Sequence, residues 1–358
     1  MKNDCQKEIG CDMHKSYSVF VQHKQKSGKF IPIRVHHNEE DLRGYLATLP
    51  SGCEIALETV GNWYWMVDAI EEAGHTPLLT NARKAKMMMC KRNKTDRLDA
   101  AGLATLLHNG TLPVVWIPPK EVRDLRDICR WRMFYSRQRA GIKNRIHATL
   151  AKYNIKVSGV SDAFSKKGIA IIKGLIGKLP AETGRCVEEA LSYLDVIEEK
   201  INFCEKRIDE LVKVTEEIRL LMSLPGVGKI LATTIWLETG SPDRFPRAQN
   251  YASYVGVVPT VNSSGGKTYH RGVSPECNHY LKWAFVEAAN VIAMMAPKRK
   301  WDLHVTKLYL RLKRKKGSGK AKVAVARHLA EAAWCMLTRK QEYREPEDKY
   351  REASSTRG

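Results

Sequence analysis

Apolar and polar residues alternate with a period of two over residues 17–23, with Val19 and Val21 on one face, which predicts a half-buried strand. Lys26-Ser27-Gly28-Lys29 has turn composition and residues 30–35 alternate again, so the two runs predict a hairpin. Residues 38–49 predict a short helix and residues 53–58 an apolar strand ending in Glu58. Residues 63–73 follow as a helix, 76–80 as a strand and 96–108 as a helix. Strands interleaved with crossover helices predict an α/β domain.

The pattern then changes to helical. Residues 121–152 predict a long basic helix carrying Arg123, Arg126, Arg130, Arg137, Lys143 and Arg145, with Trp131, Phe134 and Tyr135 interleaved. Val187, Ala190, Leu194, Ile197, Ile201, Cys204, Ile208, Leu211, Thr215, Ile218 and Met222 alternate steps of three and four, a heptad seam. Such a seam suits a long helix packed on its own domain or paired with another subunit in a coiled coil. Leu224-Pro225-Gly226-Val227-Gly228 breaks it. A mixed region runs to about residue 296. A very basic helical part follows, including Lys313, Arg314, Lys315, Lys316, Lys320 and Lys322 and interrupted by Gly317-Ser318-Gly319. Residues 341–358 form a polar tail of disorder-prone composition.

Composition narrows the partner. The chain has 358 residues, 43% hydrophobic and 28% charged, a globular balance, and a formal net charge of +21. So large a positive excess points to nucleic acid, because each phosphate neutralised by Lys or Arg releases counterions. No run reaches the roughly 18 apolar residues of a membrane helix. The first ten residues carry both charge signs and have no signal-peptide pattern, so the expected location is cytoplasmic. Nine scattered cysteines without a Cys-x-x-Cys pair read as reduced thiols.

Four acids stand out. Asp12 precedes or begins the first strand, Glu58 ends a strand, and Asp96 and Asp99 share one face at the start of a helix. Thr95 suits the N-cap of that helix, and acids in a first turn also suit its dipole, so capping accounts for the pair by itself. Acids from strand ends and a helix start can instead converge at one sheet edge. Four carboxylates so close repel unless cations neutralise them, and two Mg²⁺ ions about 3.5–4 Å apart would do so while serving phosphodiester chemistry.

The ordered set Gly10-Cys11-Asp12-Met13-His14-Lys15, Leu57-Glu58-Thr59-Val60-Gly61 and Lys94-Thr95-Asp96-Arg97-Leu98-Asp99-Ala100 resembles the DEDD transposases of the insertion-sequence-110 family. Asn81-Ala82-Arg83 also fits that family's layout. The resemblance implies a first domain similar to the Holliday-junction resolvase RuvC, with an RNase H-like fold. It implies that Asp12, Glu58, Asp96 and Asp99 bind metal.

In the second half, Ser223-Leu224-Pro225-Gly226-Val227-Gly228 resembles the opening of the family's second domain. By itself it is a tight turn, plain or with backbone N–H groups open to a phosphate. The segment 256–267, with Pro259 followed by Ser263-Ser264-Gly265-Gly266-Lys267, resembles the family's serine segment, and the resemblance implies that Ser264 is a nucleophile. On composition alone, Ser-Ser-Gly-Gly is a flexible loop. His270, Arg271, Asn278 and Lys282 lie where family members carry polar and basic residues facing DNA, and Lys320 to Arg327 resembles the family's C-terminal helix.

The implied architecture is a RuvC-like α/β domain over residues 1–155, a coiled-coil helical linker over 156–222, a mostly α serine-bearing domain over 223–340, and the tail 341–358. The implied function is DNA transposition or recombination through a Mg²⁺-bound tetrad and a phosphoserine at Ser264, guided by an element-encoded bridge RNA. Arg83, Lys94, Arg130, Lys267, Arg271, Lys282, Lys320 and Lys322 are the expected nucleic-acid contacts. The heptad seam suggests a homo-oligomer, dimer or tetramer. Alternatives are a RuvC-like nuclease using the tetrad alone, a DNA invertase similar to Piv, and a nonenzymatic nucleic-acid-binding protein.

Overall fold

Alternation starts earlier than residue 17: Ile9, Cys11 and Met13 are buried on one face while Gly10 and Asp12 take the other, and Glu8–Met13 forms a strand, β1. Asp12 therefore lies near the end of the first strand, and residues 17–22 belong to the second. The computed structural model describes residues 7–22, 31–89, 95–264, 267–298 and 301–345. The expected turn Lys26-Ser27-Gly28-Lys29, Lys94 and the tail from residue 346 lie outside the described residues. The chain forms two compact units, Met1–Pro118 and Pro119–Gly358.

In the first unit, β2 (Tyr17–Gln22), β3 (Pro32–His36), α1 (Glu39–Ala47), β4 (Glu54–Glu58), α2 (Trp63–Glu72), β5 (Thr76–Thr80), α3 (Ala82–Met89) and α4 (Asp96–His108) follow β1. One mixed sheet results, in the order β3-β2-β1-β4-β5. Strands β1, β4 and β5 are parallel and β2 is antiparallel to both neighbours. Ile9, Cys11, Phe20, Ile55 and Leu57 bury one face with Leu42 and Leu46 of α1 and Met66 and Ile70 of α2. The opposite face carries Val19, Val21 and Ala56 against Ala100, Ala101 and Leu103 of α4 and Ala85 of α3.

That second face explains a glycine. A Cβ at Gly10 would lie 1.9 Å from the Ala100 carbonyl oxygen and 2.7 Å from the Ala104 nitrogen. Only glycine lets α4 lie so close on the central strand, and this contact brings the start of α4 over the end of β1.

In the second unit, α5 (Lys120–Lys152) is followed by α6 (Lys166–Leu175), α7 (Ala181–Leu211), α8 (Glu216–Met222), α9 (Lys229–Thr239) and α10 (Ala248–Val255). Strands β6 (Pro259–Ser264) and β7 (Lys267–Val273), then α11 (His279–Met295), α12 (His304–Lys316) and α13 (Ser318–Arg339), complete it. The heptad stripe Val187, Leu194, Ile197, Ile201, Cys204 and Ile208 is buried, and α5 covers it in an antiparallel hairpin. Arg132–Glu205 at 2.7 Å and Arg139–Glu198 at 2.8 Å flank the seam. Of the two pairings the seam allowed, the structure shows the one within the chain.

The seam also stops short of Met222. Leu211 and Met222 are exposed, Val212 turns extended, and Thr215 caps a new helix by accepting from the Ile218 N–H. Two β-branched valines flanking Lys213 and a capping threonine disfavour an unbroken helix there. Helices α8 to α13 and the start of α5 enclose the largest core, rich in alanine where α11 and α13 pack. Among the described residues, no helix is long and apolar enough to cross a membrane.

Candidate active site

Asp12, Asp96 and Asp99 come together where the sheet ends under α4. The parallel register pairs Cys11 with Leu57, so Asp12 and Glu58 are neighbours one step beyond, on the same face. That face also carries Gly10, and hence faces α4. Thr95 caps α4 by accepting from the Leu98 N–H at 3.3 Å. Asp96, Asp99, Ala100 and Leu103 run down one stripe of this helix, so the two acids begin the face whose alanine and leucine pack on the sheet. Thr95 thus does the capping, while Asp96 and Asp99 lie on the side of α4 that faces the sheet.

Burial pushes the Asp12 carboxyl above the usual carboxylate range; the neighbouring His14 imidazole draws it down, and the Asp99 and Asp96 charges push it further up. Like charges are therefore gathered at a partly desolvated spot. The side chains of Asp12 and Asp96 are 18% and 38% exposed.

His14 joins them. Its Nε2 is 3.3 Å from Asp12 Oδ2 and 3.2 Å from Asp96 Oδ2. Tyr17 donates its hydroxyl to Asp96 Oδ2 at 3.1 Å, stacks on the His14 ring at 4.6 Å, and carries the Arg34 guanidinium 4.3 Å from its own ring centroid. The hydrogen bond to Asp96 holds the Tyr17 phenol above its ordinary range. Asn62, four residues beyond Glu58, donates to the His14 carbonyl at 3.1 Å. His14, Tyr17 and Asn62 were not singled out from sequence. The Asp-x-His spacing was the available signal, because residues two apart on extended chain share a face.

In the second unit, the serine segment forms strands where composition suggested a flexible loop. Ser264 closes β6 and pairs with Lys267 at the start of β7, so it stands at the tip of a hairpin. The base of this hairpin is tightly built. Gly256 caps α10 at φ +80°, and a Cβ there would lie 2.4 Å from Cys277. Asn278 caps α11, accepting from the Tyr280 and Leu281 N–H groups, and donates to Glu238 Oε2 at 2.9 Å. Glu238 is 1% exposed and receives Arg130 through two bonds of 2.8 and 3.1 Å. Arg126 donates to the Leu237 and Glu238 carbonyls, which end α9.

The expected nucleic-acid contacts fall in different settings. Arg83 and Lys320 are exposed, and Lys322 and Lys282 are half-buried. Lys267 and Arg271 lie on β7. The Arg130 guanidinium is engaged by Glu238 and lies 4.4 Å from the Tyr280 ring centroid. Asn278 is likewise turned to Glu238 and its own helix. Trp131 and Phe134 are 54% and 45% exposed and touch each other and Tyr135 edge-on or tilted, so these two rings are not core contacts.

Known proteins similar to this chain are transposases. Residues 9–155 match a family model described as a transposase of the DEDD IS110 type, and residues 218–304 match one described as the transposase IS116/IS110/IS902 family. The chain is 24% identical over 340 residues to a probable family 20 transposase of Pseudomonas aeruginosa, covering 94% of this chain and 98% of that one. It is 25% identical over 305 residues to the transposase for insertion sequence element IS1111A of Coxiella burnetii, covering 84% and 81%. A third relative, 24% identical and covering 79% and 83%, is the transposase for insertion sequence element IS1328 of Yersinia enterocolitica. Two family models in the expected order and relatives matched over most of their length make this chain a member of the IS110 family of DEDD transposases, enzymes that act on DNA.

Proposed function

We propose that the chain recombines DNA at the junctions of a mobile element, using Asp12, Glu58, Asp96 and Asp99 to hold Mg²⁺ and Ser264 as the nucleophile. Family membership implies a divalent metal. The donor set fits one: oxygen ligands suit a hard cation, and Asp12 is partly buried with the charges of Asp96 and Asp99 close by. Two bound Mg²⁺ ions would supply charge neutralisation at the attacking and leaving oxygens of the phosphodiester. The observation that carries the reading is the convergence of Asp12, Asp96 and Asp99 beneath the start of α4.

In this reading the sheet and α4 belong to a RuvC-like, RNase H-like domain over residues 1–155. A helical linker spans 156–222 and a serine-bearing domain 223–340. The Ser264 Oγ attacks the scissile phosphorus as its proton leaves. The bond from phosphorus to the departing strand oxygen breaks, freeing a strand-end hydroxyl and leaving phosphoserine. The hydroxyl of a second DNA end then attacks that phosphorus, and Ser264 recovers its proton. The number of phosphodiester bonds is unchanged, so no external energy source is required. The tight base at Gly256 and Asn278 supports a role in which the hairpin tip is held for reaction.

The same reading includes an element-encoded bridge RNA pairing with donor and target DNA, and a homo-oligomer, dimer or tetramer, acting in the cytoplasm. The exposed Trp131 and Phe134 beside Tyr135 on a basic helix support RNA binding, since unstacked bases pack on such rings. The exposed basic run Lys313 to Lys316 with Lys320 supports phosphate contacts. Tyr193, Val196 and Phe203, exposed on α7, are candidates for contact between copies.

Ser264→Ala decides between this mechanism and a nuclease using the acids alone. In a plasmid recombination assay with denaturing gels, the variant is expected to lose strand exchange and the covalent protein–DNA adduct. Retention of both by Ser264→Ala overturns the phosphoserine.

A further inference from the structure

His14 has an Nε2 that is almost wholly shielded from solvent, 3.3 Å from Asp12 Oδ2 and 3.2 Å from Asp96 Oδ2; it draws the Asp12 carboxyl down, but neither contact has the alignment of a good hydrogen bond. One donor atom each from Asp12, His14 and Asp96 can be chosen so that all lie within 4.8 Å of one another. A histidine serving only as counter-charge would aim an N–H along its ring plane at one oxygen. A nitrogen held at 3.2–3.3 Å from two carboxylate oxygens at once is spaced as three ligands around a common cation are.

The residue is also held in place. The His14 backbone N–H donates to the Tyr17 carbonyl at 2.9 Å, its backbone carbonyl accepts from Asn62 at 3.1 Å, and its ring packs on Tyr17. Tyr17 in turn fixes Asp96 by hydrogen bond. Partners that orient ligands in this way are the usual surroundings of a metal site.

We propose that His14 is a direct ligand, through Nε2, of the divalent ion held by Asp12 and Asp96, so that the site discriminates in favour of Mn²⁺ over Mg²⁺. The inference rests on the metal-binding reading of the acids and adds a nitrogen donor to it. Imidazole is a poor ligand for Mg²⁺, which prefers oxygen and water, and a better one for first-row transition ions. Removing it should cost Mn²⁺ affinity about tenfold or more and Mg²⁺ affinity much less.

The test uses Mn²⁺ as the probe on the full chain. Titration followed by electron paramagnetic resonance of free Mn²⁺ yields the affinity, and electron spin-echo envelope modulation of the bound ion reports a directly coordinated ¹⁴N. Wild type should bind Mn²⁺ with imidazole-type ¹⁴N modulation. His14→Ala should lose that modulation, bind Mn²⁺ about tenfold more weakly, and lose most of its preference over Mg²⁺. Mn²⁺ bound by wild type without ¹⁴N modulation, or modulation surviving in His14→Ala, overturns the proposal and leaves the carboxylate site standing. Binding absent in wild type, or unchanged in Asp12→Asn, overturns the carboxylate reading and this inference with it. The wild-type spectrum decides the ligand even where His14→Ala fails to fold.

Discussion

The two units each desolvate carboxylates, and they do so in opposite ways. Glu238 in the second unit is almost fully buried, but Arg130 grips both its oxygens, Asn278 adds a third bond, and Arg126 satisfies the backbone carbonyls beside it. Asp12 in the first unit is less buried, and the charged groups that move it most are the acids Asp96 and Asp99 and the His14 imidazole. The lesson concerns the source of counter-charge. A buried acid with a guanidinium supplied by the fold is part of the scaffold; half-buried acids gathered beside one another have the arrangement that, in the proposed function, a cation from solution completes.

The contrast breaks most visibly at Glu238. Glu238→Ala should destabilise the second unit by about 3–5 kcal/mol, because Arg130 and Arg126 are left partly buried without their acid. Urea unfolding monitored by circular dichroism measures it. A loss below 1 kcal/mol would mean that the pair is merely a surface contact. Gly10→Ala comes next. The added Cβ pushes on the Ala100 carbonyl, so α4 must shift, costing about 1–3 kcal/mol and weakening Mn²⁺ binding together with stability. Unchanged Mn²⁺ affinity in this variant would show that the metal site does not depend on the close approach.

The smallest effect has the opposite sign. The proton affinity of Asp12 is raised in the folded chain, so its ionisation opposes folding. That penalty is absent below the ordinary Asp range, grows as pH rises through the shifted value, and is fully present at neutral pH. Metal-free Asp12→Asn should therefore melt slightly higher than wild type at pH 7 and equally at pH 3, while losing the upward shift that Mg²⁺ gives wild type. Thermal melts at the two pH values, with and without metal, measure this. A variant that melts lower at pH 7 would contradict the crowding of charge described above.

Local pattern carried much of the first unit. The strand ending at Glu58, the helix from Asp96 with Thr95 as its cap, and the three-residue spacing of Asp96 and Asp99 are all short-range features, legible because they depend on neighbours along the chain. β1 was overlooked because Gly10 and Asp12 make the face under α4 look unlike a strand, although Ile9, Cys11 and Met13 keep the period. The β6–β7 hairpin was overlooked because serine and glycine signal a loop, whereas cross-strand pairing keeps Ser263 and Ser264 in the ladder. In α7 the heptad period foretold the buried stripe, but not that the chain's own α5 covers it. A period reports which face is apolar and carries no information on what meets that face.

By itself, then, the sequence determined the ordered acids, the Ser264 segment, the basic charge and the family they imply, since each resides in residue type and spacing. Only the tertiary structure decided that Asp12 and Asp96 close on His14, that Arg130 turns inward to Glu238, and that Gly10 is what lets α4 lie close. Those outcomes depend on contacts between residues 79 to 108 positions apart along the chain, as Tyr17 is from Asp96 and Arg130 from Glu238. Packing selects such pairs only after the elements have formed, because the entropy of closing so long a loop is recovered by the many contacts of whole helices and strands, not by any one pair.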